Sequence, residues 1–579
     1  MSFKARVFLS LLFLLPVISK GRFCIASERI KEKLDRGVIA FPRGDGSVYV
    51  GWRLLSTDPQ GIAFNVYRRW PDGLQERLND KPITKTCDFI DTRPRDKPGE
   101  LGYFVRPIVG GKELLRSRAA GIDRSGGGKF RRIKLKGRYT FQKVGIADLD
   151  GDGRYDFVIK QPNENIDPYV RYWRRSPGTY KLEAYLSDGT FLWRYDLSWA
   201  IERGIWYSPY VVYDLDGDGK AEVACKIGEG DPRGPDGRVQ SGPEYLAILD
   251  GMTGKVITKT AWIPRSLFKG PRAYNFASRN QLCVAYLDGK NPYLIMERGT
   301  YGLIVLVAFR YSQGQLREVW RWSNDKEPRS FWGQGAHWMH AADVDQDGRE
   351  EIVIGSAVVD DNGKGLWSTG LGHPDHAYVG DIDYERPGLE IYYGIEPRHD
   401  RNGMCLVDAK TGRIIWGHQE PTRHIHSSGL CADIDLRYPG RECYSGERDF
   451  PEKRWLRTCK GKILAMIDLG GLAPRAAFFD GDLAREIIRG GKLIKFGKGS
   501  LDVKIEGHIA AVADILGDWR EEIVTSVPGE LRIYTTTIPA TDRRPCLMED
   551  PIYRSDVTCA AMGYFQIPLT LKPLQAMKR

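Results

Sequence analysis

Three short stretches of the chain place aspartates at alternate positions directly before an apolar run. They read DLDGDGRYD, DLDGDGKAE and DVDQDGREE. In each, carboxylates stand at relative positions 1, 3, 5 and 9, so that a tight turn can fold their oxygens around one hard cation. The predicted ligands are Asp148, Asp150, Asp152, Asp156, Asp214, Asp216, Asp218, Glu222, Asp343, Asp345, Asp347 and Glu351. The last acid stands at position 9 and a strand follows, which excludes an EF-hand and predicts calcium-binding turns that join β-strands.

Weaker copies of this turn continue along the chain. They supply the further predicted ligands Asp381, Asp383, Glu390, Asp433 and Asp435, and reduced copies lie around Asp288 and Asp514. Seven such hairpins at uneven spacing are typical of a β-propeller in which each blade contributes one turn. With one unmarked blade added, residues 126–579 are predicted to form an eight-bladed, calcium-binding β-propeller.

Composition favours the same class. The 579 residues include 65 glycines, 28 tyrosines and 15 tryptophans, a content typical of short strands joined by turns, and we predict an all-β protein. Residues 27–125 alternate like a small β-sandwich, with the strand-like segments VYVGWRLL, AFNVYRRW and LGYFVRPIV. A formal charge of +11 indicates an acidic partner: nucleic acid, anionic membrane or acidic polysaccharide.

The amino terminus indicates export. Lys4 and Arg6 precede the apolar run VFLSLLFLLPVIS, and small residues end at Ala26, as in a signal peptide over residues 1–26. We therefore expect a secreted or periplasmic protein with no stable membrane span after cleavage. Export and the lack of a localised basic stripe argue against nucleic acid. Nine cysteines remain, and Cys443 with Cys459 is the best candidate for a local disulfide.

The propeller hypothesis also predicts where a functional site lies. Residues six positions before each turn occupy equivalent places near the central funnel, and they are Gln142, Ser208, His337, Asp375, Ser427 and His508. His373 and Glu396 lie beside Asp375 in the predicted blade. His337, His373, Asp375 and Glu396 would form a nitrogen and oxygen cluster that binds a divalent cation or supplies a general base and acid. Taken singly, each histidine is better explained as a satisfied polar residue than as a ligand, and it is their equivalent positions on adjacent blades that favour a functional cluster.

From about Leu34 to Leu574 the chain resembles the rhamnogalacturonan lyases of polysaccharide lyase family eleven. The resemblance rests on ordered motifs that include WRLLSTDPQGIAFNVYR, VYDLDGDGKAEV, SGPEYLAILDGMTG, MERGTYG, DDNGKGLWSTGLGHPDH, GDIDYERPGLEIY, DILGDWREEIV and LMEDPIYR. It implies an N-terminal β domain, an eight-bladed propeller that binds several calcium ions, and cleavage of rhamnogalacturonan I. Such enzymes break the bond at C4 of galacturonate by β-elimination and leave an unsaturated uronate. We expect a monomer acting on this or a related acidic polysaccharide.

β-Elimination on a uronate needs three parts: a cation that neutralises the carboxylate, a base near C5 and a donor for the leaving oxygen. We assign the first part to Ca²⁺ or Mn²⁺ held by the four-residue cluster, helped by Arg298. Tyr301, Tyr564 and Lys160 are candidates for proton transfer, and Trp338 and Gln142 for sugar contact. The alternatives are a structural ion pair for Arg298 and core packing for the aromatic residues.

Several positions depart from the family's pattern. Gln142 and Lys143 replace an Asn-Asp pair, Ile395-Glu396-Pro397 replaces His-Glu-His, and Phe565 replaces the asparagine after Tyr564. A loop containing Asn-Gly-Thr-Lys has no counterpart in SLDVKIEGHIAAV. These changes leave a second hypothesis open, in which the chain is a non-catalytic, calcium-stabilised propeller that binds glycan or protein.

Overall fold

The computed structural model of the protein describes residues 29–92, 94 and 101–576. The predicted signal peptide lies outside these residues. The described chain is almost entirely β-structure, with two short α-helices, Ala273–Ala277 and Pro551–Cys559. This confirms the all-β class. None of the described helices combines the length and apolar character needed to cross a lipid bilayer.

Eight four-stranded antiparallel sheets make up most of the described chain, and seven of them take their strands in chain order. We number them sheet 1 to sheet 8. Sheet 1 contains Lys143–Ala147, Asp156–Gln161, Lys181–Tyr185 and Phe191–Asp196, and sheet 2 contains Tyr210–Tyr213, Glu222–Gly228, Glu244–Leu249 and Val256–Ala261. Sheet 3 contains Asn280–Ala285, Tyr293–Arg298, Val305–Ser312 and Gln315–Ser323, and sheet 4 contains Gly335–Ala342, Glu351–Gly355, Ala357–Val359 and Gly365–Ser368. Sheet 5 contains Pro374–Gly380, Glu390–Ile395, Met404–Asp408 and Ile414–Gly417, and sheet 6 contains Leu430–Ala432, Glu442–Gly446, Arg454–Arg457 and Ile463–Met466. Sheet 7 contains Arg475–Ala477, Glu486–Arg489, Lys492–Lys495 and Gly499–Lys504, and sheet 8 contains His508–Ala513, Glu522–Val527, Glu530–Tyr534 and Phe130–Lys134.

Burial falls from the first strand of a sheet to the fourth. Every residue of Lys143–Ala147 is buried, whereas Val256–Ala261 at the edge of sheet 2 alternates between exposed and half-buried positions. First strands are therefore rich in small and apolar residues, because they are enclosed on both faces. First strands of successive sheets contact one another, as sheets 1 and 2, 2 and 3, 3 and 4, and 4 and 5 do.

Sheet 8 joins the two ends of this array. Its fourth strand, Phe130–Lys134, precedes sheet 1 in the chain and pairs antiparallel with Glu530–Tyr534, with Phe130 opposite Tyr534. The first strand of sheet 8 contacts the first strand of sheet 1. The last sheet thus combines early and late segments of the chain.

The helix Pro551–Cys559 lies among the first strands. It contacts the first strands of sheets 1, 2, 3, 4 and 8. All of its residues after Pro551 are buried. Asp550 caps the helix by accepting the backbone N–H groups of Ile552 and Tyr553, and proline suits the first helical position because no N–H is needed there. The remaining short helices are 3₁₀ turns: Arg265–Leu267, Asn324–Lys326, Arg329–Phe331, Leu547–Glu549 and Leu574–Ala576.

Two further sheets lie before Phe130. One contains Ile39–Pro42, Val48–Gly51 and Asp88–Asp91, and the other contains Gln75–Arg77, Ala63–Arg69, Gly102–Val109, Lys112–Glu113 and Ala120–Gly121. Val50 from the first and Phe64 and Tyr103 from the second share one buried cluster. The two sheets therefore face each other across a common core.

The predicted disulfide between Cys443 and Cys459 is wrong. All nine described cysteines are buried free thiols. Cys443 lies on the second strand of sheet 6 opposite Cys431, whereas the thiol of Cys459 lies 3.0 Å from the carbonyl oxygen of Pro439. The two cysteines are close in the sequence, but that closeness did not reveal that their thiols face different partners.

Candidate active site

The three strong aspartate turns each gather carboxylates at the start of a hairpin. Ligand oxygens lie within 4.8 Å of one another in the groups Asp148, Asp150, Asp156; Asp214, Asp216, Asp218; and Asp343, Asp345, Asp347. Asp152 departs from this pattern, because it forms ion pairs with Arg118 and Arg154. The turns otherwise have the oxygen donor set that calcium prefers.

The last acid of each strong turn is the first residue of the second strand. Asp156, Glu222 and Glu351 accept the backbone N–H groups of Leu149, Leu215 and Val344 at 2.9, 2.9 and 2.8 Å. Burial raises the pKa of each of the three carboxyls to about 8. One oxygen of Glu351 is buried without a hydrogen-bond partner among the described residues. A bound cation would satisfy such an oxygen, so these residues fit a hard metal ion.

Weaker turns instead hold side-chain cations. Lys460 Nζ lies 3.2 Å from a carboxylate oxygen of Asp383 and 2.8 Å from one of Glu385. In sheet 6, Asp435 pairs with Arg437 at 2.6 Å, and Asp433 lies 3.5 Å from Arg441. These partners already neutralise part of the charge predicted to bind metal at Asp383, Asp433 and Asp435, whereas one oxygen of Asp381 is buried without a hydrogen-bond partner among the described residues. Lys460 is 77 positions from Asp383, so the local motif does not reveal this ion pair, whereas Arg437 and Arg441 lie within the motif.

A second kind of cluster lies where the first strands of sheets 4 and 5 begin. His337 is on Gly335–Ala342, Asp375 is on Pro374–Gly380, and His373 directly precedes that second strand. His337 Nε2 and His373 Nε2 lie 3.5 and 3.6 Å from the same carboxylate oxygen of Asp375. Glu396 follows the neighbouring strand and lies 3.3 Å from His373 Nε2. The structure therefore brings together the four residues predicted as one cluster.

Two more histidines complete this group and were missed in the sequence. His426 Nδ1 lies 2.7 Å from the second oxygen of Asp375, and His424 Nε2 lies 3.2 Å from the second oxygen of Glu396. We call the six residues the histidine–carboxylate cluster: His337, His373, Asp375, Glu396, His424 and His426. The signal was present as HIH at 424–426, since residues two apart on an extended chain project to one side.

Hydrogen bonding prepares the cluster to receive a cation. His373 Nδ1 hydrogen-bonds to the carbonyl oxygen of Gly335, which directs its Nε2 lone pair into the cluster. His373 Nε2 and one oxygen of Asp375 are buried without a hydrogen-bond partner in the part of the chain described. Burial and the adjacent His373 imidazole hold the pKa of His337 well below its usual range, so the ring is neutral, as a metal ligand must be.

The surroundings of the Asp375 carboxyl shift its pKa strongly. Burial acts to raise its pKa, but the imidazoles of His373 and His426 outweigh burial and hold the pKa well below its usual range. Asp375 is therefore ionised at neutral pH. Its second oxygen also accepts the backbone N–H of Ser427. The arrangement presents a buried anion among imidazole nitrogens, which suits a divalent cation.

Aromatic side chains enclose the cluster. The hydroxyl of Tyr301 lies 3.1 Å from His337 Nε2, and its ring centroid lies 4.5 Å from that of His373. Tyr564 lies on another side, 4.7 Å from the His337 ring and 5.3 Å from the Trp206 ring. Gly563 permits this approach: its φ is +62°, and a Cβ there would lie 2.4 Å from the carbonyl oxygen of His337. Two phenol groups thus border one nitrogen and oxygen cluster.

Three other predicted residues do not lie open to a substrate. Arg298 is fully buried, and its guanidinium donates to Glu244, Asn280 and the carbonyl oxygen of Ile263. Lys160 is also fully buried and donates to the carbonyl and hydroxyl oxygens of Ser208 at 2.9 and 3.0 Å.

Trp338 is 2% exposed and packs in the core, because its side chain points away from that of its neighbour His337. The proposed roles of Arg298, Lys160 and Trp338 are therefore replaced by structural ones. Gln142 is half-buried, and its carbonyl oxygen lies 3.1 Å from His508 Nε2.

A different arginine lies beside the cluster. The guanidinium of Arg279 is 5.0 Å from the Trp206 ring and 5.4 Å from the Tyr301 ring. Asp167 holds it through two hydrogen bonds of 3.1 and 2.8 Å and also accepts the Trp206 indole N–H at 3.2 Å. Asp167 and Arg279 are 112 positions apart, and no local pattern in the sequence joins them.

Comparison with known proteins gives two family matches. The family model "Rhamnogalacturonan lyase family 11, C-terminal domain" matches residues 134–574. The model "Rhamnogalacturonan I lyases beta-sheet domain" matches residues 29–122.

Curated relatives come from Bacillus subtilis (strain 168). The chain is 36% identical to rhamnogalacturonan endolyase YesW over 608 residues, covering 96% of this chain and 92% of the relative. It is 34% identical to rhamnogalacturonan exolyase YesX over 604 residues, covering 94% of this chain and 95% of the relative. Among solved structures, a Bacillus licheniformis rhamnogalacturonan lyase matches with a TM-score of 0.86 and 34% identity, covering 96% of this chain and 98% of that one.

Proposed function

The chain belongs to rhamnogalacturonan lyase family 11, and from this premise we propose that the histidine–carboxylate cluster is the centre at which it breaks its substrate. The protein is a polysaccharide lyase that acts on rhamnogalacturonan. The proposed reaction is β-elimination: the C5 proton of galacturonate is removed, the C4–O4 bond breaks, and a C4=C5 double bond forms. The observation that carries the proposal is the pair of unpartnered ligand atoms on His373 and Asp375.

We assign a divalent cation, Ca²⁺ or Mn²⁺, to His337, His373, Asp375 and Glu396. When bound, it would neutralise the uronate carboxylate and so make the C5 proton more acidic. The residues around it hold the substrate in place. Asp167 fixes Arg279 and Trp206 beside the cluster, and this supports a rigid wall against which a sugar ring can be oriented.

Proton transfer is assigned to the two tyrosines. Burial raises the pKa of both hydroxyls, and the nearby charge of Arg279 acts in the opposite direction on each. Tyr301, which directly contacts two of the proposed ligands, is the base that takes the C5 proton once a cation beside it favours the phenolate. Tyr564 stays protonated and gives its proton to O4 of the departing sugar. The proton count balances, since one tyrosine gains the proton that the other gives up.

The surrounding architecture is proposed to be an eight-bladed propeller. The support is the eight four-stranded sheets, the contacts between their first strands and the pairing of Phe130–Lys134 with the last sheet. Residues 27–125 form the N-terminal β domain and residues 126–579 the propeller. Calcium ions occupy the three strong aspartate turns. The mature protein is secreted or periplasmic and monomeric.

The test measures absorbance at the ultraviolet band of an unsaturated uronate while the protein acts on rhamnogalacturonan I. We expect the absorbance to rise, to stop after chelation, and to return when Ca²⁺ or Mn²⁺ is added. His373→Ala is expected to abolish the rise while circular dichroism stays unchanged. Substrate binding without any rise in absorbance would instead favour a non-catalytic glycan-binding protein.

Tyr301→Phe and Tyr564→Phe separate the two proton-transfer roles. A uronate that carries a fluoride leaving group at C4 needs no proton donor, because fluoride leaves as an anion. We expect Tyr564→Phe to regain activity on this substrate and Tyr301→Phe to remain inactive. Equal behaviour of the two variants would contradict the assignment.

A further inference from the structure

A second group of polar residues lies at the same end of the sheets as the histidine–carboxylate cluster. Lys143, Arg475 and His508 are the first residues of the first strands of sheets 1, 7 and 8. The first strands of sheets 7 and 8 contact each other, as do those of sheets 8 and 1. His508 Nε2 lies 3.1 Å from the carbonyl oxygen of Gln142, next to Lys143. We call these three residues the cationic cluster.

Among the residues that the structure describes, no carboxylate pairs with the cationic cluster. Within residues 29–92, 94 and 101–576, no acidic side chain lies within 4.0 Å of the charged nitrogens of Lys143 or Arg475. Lys143 is only 5% exposed. One guanidinium nitrogen of Arg475 donates to the carbonyl oxygens of Ala473 and Pro474 at 2.9 and 3.4 Å. It also lies 3.4 Å from the hydroxyl oxygen of Ser428. Buried charges are ordinarily paired, so this arrangement is costly without an anion.

Electrostatics agree with this description. Burial and the charge of Arg475 lower the pKa of Lys143 to about 7, and burial lowers that of Arg475 to about 10. The His508 side chain is exposed, but partial desolvation and the charges of Lys143 and Arg475 lower its pKa. Lys143 and Arg475 therefore repel each other when both are charged, and an anion between them would relieve that repulsion.

The segment Tyr564–Gln566 connects the two clusters. Tyr564 packs on His337 at 4.7 Å, while the next residue, Phe565, lies 4.3 Å beneath the guanidinium of Arg475. Gln566 is 1% exposed, and neither its amide nitrogen nor its amide oxygen has a hydrogen-bond partner in the described chain. Three consecutive residues span at most about 7 Å between their outer Cα atoms, so the clusters lie side by side.

We propose that the cationic cluster is a second carboxylate subsite, which binds another galacturonate of the same rhamnogalacturonan chain while the histidine–carboxylate cluster holds the one being cleaved. This inference rests on the proposed function. Rhamnogalacturonan I alternates rhamnose with galacturonate, so carboxylates recur along one polymer.

Binding is measured by calorimetry with a rhamnogalacturonan I hexasaccharide, in a Tyr301→Phe background that prevents cleavage. The matched probe is the same hexasaccharide with every uronate reduced to galactose. We expect Lys143→Met and Arg475→Gln each to raise Kd for the acidic hexasaccharide by about tenfold, since each removes a charge-assisted contact. The affinity for the reduced hexasaccharide is expected to stay within twofold of the parent protein.

Lys290→Met is the control, because Lys290 is an exposed lysine on a turn of sheet 3. If Lys143→Met and Arg475→Gln bind the acidic hexasaccharide as tightly as this control, the subsite is refuted. A second outcome would also overturn it. If the two substitutions weaken binding of inorganic phosphate but leave the affinity for the acidic hexasaccharide unchanged, the cluster binds only free anions.

A second readout separates this inference from the lyase assignment. In the otherwise natural enzyme, Lys143→Met is expected to raise KM about tenfold with kcat within twofold. An inactive parent protein whose hexasaccharide binding still depends on Lys143 would refute the proposed reaction but keep the subsite. An active parent whose KM ignores both substitutions would refute the subsite alone.

Discussion

His426 Nδ1 lies 2.7 Å from one carboxylate oxygen of Asp375, whereas the other oxygen of that carboxylate faces His337 and His373. One acid therefore contacts three histidines through its two oxygens. Asp375→Asn keeps the shape but removes the charge, so we expect the bound active-site metal to be lost and kcat to fall by at least 100-fold. Metal content measured on purified protein checks this directly. Asp502→Asn, at an exposed position, is the control and should change neither value.

The base assigned to Tyr301 gives a second prediction. Tyr301→Phe removes the hydroxyl that lies 3.1 Å from His337 Nε2 and leaves the ring against His373. We expect kcat to fall by about 100-fold to 10,000-fold, the usual contribution of general acid–base catalysis, with little change in KM. A variant with a raised KM and a preserved kcat would show that Tyr301 only binds substrate.

Calcium dependence of stability should grow with pH. Without metal, burial raises the pKa of Asp148 to about 6 and that of Glu222 to about 8, so ionising them costs stability as pH rises through this range. Calcium binds the ionised form and reverses the cost. We expect chelation to lower Tm little at pH 5 and strongly at pH 8, where the free energy of unfolding falls by about 2.7 kcal/mol per site when calcium exceeds Kd about 100-fold. An equal effect at both pH values would contradict calcium binding at these turns, and Asp216→Asn should weaken the response.

Lys143 should make the protein less stable at neutral and lower pH. Its pKa of about 7 in the folded protein is below its usual value, so the unfolded chain binds the extra proton between about pH 7 and 10.5 and stability rises with pH there. We expect Lys143→Met to increase the free energy of unfolding by about 2–4 kcal/mol at pH 6, and the gain to vanish near pH 10. Denaturant titration at the two pH values checks this, and a gain independent of pH would point to packing alone.

The amine of Lys495, on the third strand of sheet 7, lies in the acidic turn that precedes the second strand. Its Nζ contacts carboxylate oxygens of Asp480 and Asp482 and lies 3.8 Å from one of Glu486. We expect Lys495→Met to destabilise the calcium-free protein by about 1–2 kcal/mol because three acids lose their partner. Added calcium should restore stability by binding the vacated turn. Lys498 is three residues away and exposed, so Lys498→Met should neither destabilise the calcium-free protein nor alter the effect of added calcium.

The sequence allowed the strand-turn-strand units to be predicted because their signal is local. Asp214 to Glu222 carries its whole ligand set within nine residues, and the two strands follow from apolar runs on either side. The same logic found His337 and Asp375, since their distance from the following turn is equal in neighbouring sheets. The position of each residue relative to a repeated motif was therefore enough to predict that these two side chains lie close together.

Residues whose partners are distant in the chain escaped prediction. Arg298 appeared as a free cation in MERGTYG, but its partner Glu244 is 54 positions earlier. Arg279 was overlooked although Asp167 fixes it beside the cluster. Trp338 was predicted to contact sugar, but its side chain lies in the core because neighbouring residues on a strand, here Trp338 and His337, point to opposite faces.

The pairing of Phe130–Lys134 with Glu530–Tyr534 has a consequence for synthesis. A ribosome must finish nearly the whole polypeptide before the other three strands of sheet 8 exist, so Phe130–Lys134 lacks its partner strand for most of synthesis. Nascent chains would remain loosely organised during most of translation. Completion of sheet 8 therefore belongs to the last stage of synthesis, however early its fourth strand is made.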